Sequence, residues 1–167
     1  MRATNQTLTC SCGQVAYEIA GPPIVSVICH CDDCQAAGAQ LEALPLARPI
    51  RDAFYGTPYV LYRKDRVRLV AGADKVEAHK LTPGSATNRI VATCCNTALL
   101  VSFDNSIHWV SVYRSALGRD APEPTMRLQT RFQPAAMPLP DRPPAYSVMP
   151  PAFVFRLIGA RIAMLFS

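Results

Sequence analysis

Cys29-His30-Cys31-Asp32-Asp33-Cys34 packs three thiols into six residues. Three thiolates at this C-x-C-x-x-C spacing suit one zinc ion and leave its fourth tetrahedral position open, as catalytic rather than structural zinc sites do. The other four cysteines form two pairs, Cys10-Ser11-Cys12 and Cys94-Cys95. The seven therefore divide into a set of four and a set of three. That division predicts one closed zinc site that holds the fold and one open zinc site that binds a ligand. A zinc ion shared by Cys10, Cys12, Cys94 and Cys95 would tie distant strands together, so that metal binding becomes folding free energy. Adjacent residues on an extended strand face opposite ways, so Cys94 and Cys95 reach one ion together only where the backbone turns. Otherwise one of them is a buried thiol acting as a small hydrophobe.

The chain has 167 residues, half of them hydrophobic, enough to bury a core without covalent staples. Its start, MRATNQTLTC, has no apolar stretch of the secretory kind, so a reducing, cytoplasmic setting is expected. Clustered cysteines in such a setting bind metal more often than they pair, and an odd count does not pair off completely. No apolar run reaches the roughly eighteen residues of a membrane span. The net charge of +5 is a modest bias and not that of a polycation; it suits a small anionic ligand or weak contact with nucleic acid and decides neither. Lys64, Arg66 and Arg68 would form a basic stripe on an extended strand, or simply a solvated edge that discourages aggregation.

The periodicity is that of short strands. Residues 15–19, 24–28, 67–70, 76–79, 99–103 and 109–113 are rich in β-branched and aromatic side chains. Gly21-Pro22-Pro23, residues 71–74 and Asp104-Asn105-Ser106 supply turns between them. Gln35-Ala36-Ala37-Gly38 predicts one helical turn ended by Gly38. The composition shifts near Ala121: nine of the fifteen prolines fall between Pro122 and Pro151, which excludes regular helix or central strand there. The expected organisation is a zinc-binding β domain over 1–120, a proline-rich connector over 121–151 and a C-terminal amphipathic helix over 152–167. That helix carries two arginines and is too short to span a bilayer; its apolar side is expected to pack on the β domain or to form a homodimer contact, the alternative being an interfacial membrane helix.

Zinc held by three thiolates carries a net charge near −1, which weakens it toward water yet lets it keep an incoming thiol deprotonated. Such a site suits a thiol adding to an electrophile better than it suits hydrolysis. His30, His79 or His108 would make the site purely structural if one of them closed it. Asp32 and Asp33 either orient the cysteine loop or face water.

Cys10 through Ile19, Gly21-Pro22-Pro23, Cys29 through Cys34 and Gly38-Ala39 together resemble the glutathione-dependent formaldehyde-activating enzymes, whose family includes the centromere protein V relatives. The resemblance resumes at Leu69-Val70-Ala71-Gly72 and from Arg89 to Leu99. It implies a mainly β, Mss4-like β-tent fold with a structural zinc and a second zinc on Cys29, Cys31 and Cys34. In the family that second zinc is linked to glutathione and to formation of S-hydroxymethylglutathione from formaldehyde. The family frame Arg-x-Phe-Cys-x-x-Cys-Gly reads here as Arg89-Ile90-Val91-Ala92-Thr93-Cys94-Cys95-Asn96. Ala92 replaces the first cysteine, Cys95 falls on the second, and Cys94 offers a sulfur from a shifted position. The chain is similar to a divergent, Cys-Cys-Asn-Thr branch.

Two function classes follow. In the first, Cys29, Cys31 and Cys34 are the catalytic residues of a carbon–sulfur lyase type of reaction run in reverse, with zinc presenting a glutathione-like thiol to an aldehyde. Thr57, Tyr59 and Arg89 are then candidate contacts for an anionic thiol. In the second, the chain is a non-catalytic zinc-binding module that meets a protein or nucleic acid through Lys64, Arg66, Arg68 and the tail.

Overall fold

Ten short strands form two sheets in the computed structural model, which describes residues 5–166. In chain order they begin with β1 (Gln6–Thr9), β2 (Ala16–Ile19) and β3 (Val25–Cys29), followed by helix α1 (Asp32–Glu42). Next come β4 (Thr57–Arg63), β5 (Val67–Ala71), β6 (Val76–His79) and β7 (Thr87–Ala92). The chain ends with β8 (Thr97–Phe103), β9 (Trp109–Tyr113), β10 (Arg127–Leu128) and helix α2 (Pro151–Met164). The smaller sheet has the order β1-β2-β5 and the larger the order β10-β3-β4-β9-β8-β7-β6. Pairing is antiparallel except where β10 lies parallel to β3.

The larger sheet is buried on both faces, and β4 shows how. Successive side chains on a strand point to opposite faces. Val60 and Tyr62 enter one core with Leu8, Val15 and Ile19 of the smaller-sheet side. Tyr59 and Leu61 enter a second core with Leu41 of α1 and with Phe153 and Leu157 of α2. The second core lies beside the cysteine loop, because Cys29 ends β3 and Cys34 sits in the first turn of α1.

Two local expectations are corrected. The helix after the cysteines does not stop at Gly38 but continues to Glu42. Gly38 is buried there, and a Cβ on it would come within 2.7 Å of two side-chain carbons of Arg51. The glycine thus serves close packing rather than termination. Lys64 and Arg66 lie in a 3₁₀ turn that breaks the chain between β4 and β5, so no extended basic stripe forms. Arg68 pairs with Glu18 at 2.6 Å across the smaller sheet. The proline-rich stretch forms no central strand and adds only a two-residue edge: β10 pairs with β3 at Arg127↔Ile28 and Leu128↔Cys29.

Helix α2 starts with Pro151 at a position where the missing N–H costs nothing. It buries Phe153 and Leu157 and leaves Phe155, Ile158 and Ile162 exposed. Among the described residues no helix is long and apolar enough to cross a membrane.

Candidate metal centre

The backbone turns at residues 93–96, which settles the geometric difficulty of adjacent cysteines. The Cys95 N–H reaches back to the Ala92 carbonyl at 3.3 Å, and Asn96 adopts a left-handed φ of 52°. Both sulfurs then face the Cys10–Cys12 turn. Cys10 Sγ lies 3.5 Å from Cys12 Sγ and 3.8 Å from Cys94 Sγ, Cys12 and Cys94 are 3.2 Å apart, and Cys94 and Cys95 are 3.9 Å apart. Four sulfurs around a zinc ion at bonds of about 2.3 Å would stand about 3.8 Å from one another. The four-cysteine set fits such an ion.

Thr97 organises this cluster, and sequence reasoning did not single it out. Its hydroxyl accepts the Ser11 N–H at 3.0 Å, touches the Ser11 hydroxyl at 2.8 Å and lies 3.1 Å from Cys95 Sγ. Burial pushes the Cys95 thiol up, but its hydrogen bonds with the Thr97 hydroxyl and with backbone N–H groups outweigh this and bring it down to about 6. Cys94 is pushed up to about 12, first by its hydrogen bond with Cys12 and then by burial.

Cys29, Cys31 and Cys34 form the second cluster, their sulfurs all within 4.8 Å of one another. Cys31 caps α1, with its sulfur accepting the Cys34 N–H at 3.3 Å. Hydrogen bonds with Cys29 and then Cys34 hold the Cys31 thiol down to about 3, against burial; the Arg89 charge acts in the same direction. The same sharing pushes Cys29 up to about 12 and Cys34 well above the ordinary thiol range. Three converging thiols of which one readily ionises are a donor set that suits a soft metal ion.

No histidine joins either cluster among the described residues. His30 is fully buried on the other side of its loop, where Arg127 Nη1 donates to its Nε2 at 3.0 Å. Burial pushes the His30 imidazole down, keeping it neutral. His108 donates from Nε2 to the Leu157 carbonyl at 2.8 Å, and His79 lies on β6 at the sheet edge. Asp32 accepts the Asp33 N–H at 3.0 Å, both in the first turn of α1, where carboxylates favour the helix dipole.

Beside the three cysteines lies a cleft of about 290 Å³. Val101, Phe103, Trp109, Leu128, Met149 and Phe153 give it an apolar wall, and Asp33 and Arg89 are its charged members among the described residues. Tyr59 donates its hydroxyl toward Cys34 Sγ at 3.9 Å and also faces this cleft. Arg89, on β7, reaches the Asp33 carbonyl with Nη2 at 3.4 Å; its Nε and Nη1 have no partner although the residue is only 4% exposed. Thr57 is fully buried at the start of β4 and lies outside the cleft.

A further group escaped the sequence reading. Arg127 of the proline-rich stretch donates to Asp52 at 2.7 Å as well as to His30, and its guanidinium lies over the Phe54 ring. Asp52 also accepts the N–H groups of Phe54 and Gly56 at 2.9 Å. This network fixes the back of the cysteine loop. No spacing or periodicity marks it, because its members come from three segments far apart in the chain.

A family profile described as glutathione-dependent formaldehyde-activating enzyme matches residues 5–131. The chain belongs to that family. Its two sheets are the family's Mss4-like architecture, and helix α2 is an extension beyond the matched residues. A crystal structure of a Rhodobacter sphaeroides protein is similar at a TM-score of 0.49 and 16% identity, over 70% of this chain and 92% of that one. No curated protein matches the chain. The cysteine clusters of this formaldehyde-activating family member are compatible with metal binding, as the family's use of zinc and glutathione suggests.

Proposed function

We propose that this chain binds a small thiol beside Cys29, Cys31 and Cys34 and presents it to an aldehyde, forming a hydroxyalkyl thioether of the S-hydroxymethylglutathione kind. Cys10, Cys12, Cys94 and Cys95 would hold a structural zinc, and Cys29, Cys31 and Cys34 a second one. Zinc bound by three thiolates supplies a free coordination position in which an entering thiol stays deprotonated at neutral pH. The single observation that carries this reading is the convergence of three sulfurs, without a fourth Cys, His, Asp or Glu donor among the described residues, at the mouth of a cleft.

The chain's own groups support the addition. The apolar wall keeps water from competing for the aldehyde. Burial holds the Tyr59 hydroxyl well above its ordinary range, so it remains a proton-bearing donor beside Cys34. The thiol proton leaves to solvent, its sulfur pair forms the new C–S bond, and the carbonyl π pair moves to oxygen, which takes up a proton. No redox partner is needed. The paired or turned basic residues 64–68 give no comparable support to a nucleic-acid module.

Zinc analysis of the full chain and of Cys31→Ser tests the reading. The expected result is two zinc ions per wild-type chain and one per variant, with adduct formation from formaldehyde and thiol lost only in the variant. Equal zinc content in both proteins would overturn the second site.

A further inference from the structure

Resting on the thiol-addition reading above, we propose that the thiol taken by this cleft is a small apolar mercapto-acid, with its one carboxylate against Arg89, and not a polar tripeptide. Arg89 is the observation that demands a ligand. A buried guanidinium with two nitrogen atoms lacking partners is costly unless an acceptor meets it, and a carboxylate matches its planar fork. Arg89 also faces the same cleft as the three cysteine sulfurs, so one molecule can reach both.

The rest of the wall sets the body of that ligand. Val101, Phe103 and Trp109 offer contact surface and no charge. Glutathione at neutral pH brings two carboxylates, an ammonium and two peptide groups. Among the described residues Arg89 is the cleft's one cation and Asp33 its one anion, so the second carboxylate would have no cationic partner there. A volume of about 290 Å³ sits at the small end of ligand sites.

The narrowing belongs to this chain's extension. Met149 and Phe153 form part of the cleft wall, and both lie beyond residue 131, where the family match ends. Phe153 is buried in the same cluster as Val101 and Leu128. The C-terminal helix thereby lays an apolar wall against a site that the matched domain would leave more open.

Trp109 is the chain's one tryptophan and lines the cleft, so its fluorescence reports occupancy. The full chain is titrated with 3-phenylpropanoate, with its neutral amide and with glutathione. The first of these carries the expected carboxylate and apolar body but no thiol, so its binding does not depend on the metal. The acid is expected to bind about tenfold or more tightly than the amide, as one charge-assisted contact implies. Arg89→Gln should erase that preference, Arg89→Lys should restore part of it, and Phe153→Ala should weaken both ligands alike. Equal binding of acid and amide to the wild-type chain, or tighter binding of glutathione than of the acid, overturns the proposal. Zinc content, measured on the same samples, reports separately on the thiol-addition reading: loss of the second zinc with the acid preference intact would sink that reading alone.

Discussion

At the scale of single residues, the site depends on side chains that act through others. Asp52 and Arg127 form an ion pair with side-chain exposures of 18% and 5%, and Arg127 in turn holds His30 away from the cysteines. Removing one member of a buried pair leaves the other charge uncompensated. Asp52→Asn should therefore cost about 3 kcal/mol in urea unfolding, whereas a value near zero would mean the pair has no structural role. Gly56 is required for a different reason. A Cβ there would lie 2.6 Å from His30 Nε2 and 2.5 Å from Ile28 Cγ2. Gly56→Ala should destabilise by about 1–3 kcal/mol, as overpacking does, and a shift of the cysteine loop should lower zinc retention in the same protein.

At the scale of elements, the clip between α1 and the following loop is sensitive to pH. Glu42 accepts the N–H groups of Ile50 and Arg51 at 2.8 Å and the Arg51 guanidinium at 2.9 and 2.6 Å. Burial pushes the Glu42 carboxyl up, but these bonds outweigh it and hold the carboxyl below its ordinary range. A depressed carboxylate adds stability above its unfolded value of about 4.3 and loses it as pH falls through the folded value. Glu42→Gln should accordingly lose about 1–2 kcal/mol at neutral pH, and the gap from wild type should close below about pH 4. A gap that stays constant across this range would contradict the assignment. Strands β6 and β9 were legible in the sequence because β-branched residues mark them between clear turns. Strand β4 was not: Thr57 to Arg63 is buried on both faces, so it lacks alternation. Gly38 has the look of a helix stop, which hides the true length of α1; its actual constraint is Arg51. The grouping of the cysteines into a set of four and a set of three was legible, and the sulfurs of each set gather within 4.8 Å. Arg127 was not, because contact order across loops leaves no local pattern.

At the scale of the molecule, the four-cysteine cluster joins the turn between β1 and β2 to the turn between β7 and β8, one from each sheet. Metal bound there would hold the two sheets together, so chelation should lower the melting temperature and Cys12→Ser should unfold more easily than Cys31→Ser. Identical melting of the two variants would show that the clusters do not differ in structural weight. The central claim concerns the other cluster: that Cys29, Cys31 and Cys34 hold a metal with room for one more sulfur. Cobalt(II) put in place of zinc makes that sulfur visible as sulfur-to-metal charge-transfer absorption. With Cys31→Ser as the blank, the account predicts that 2-mercapto-3-phenylpropanoate intensifies this absorption in the wild-type chain and saturates at one thiol per chain. An unchanged wild-type spectrum, or the same change in Cys31→Ser, would contradict it.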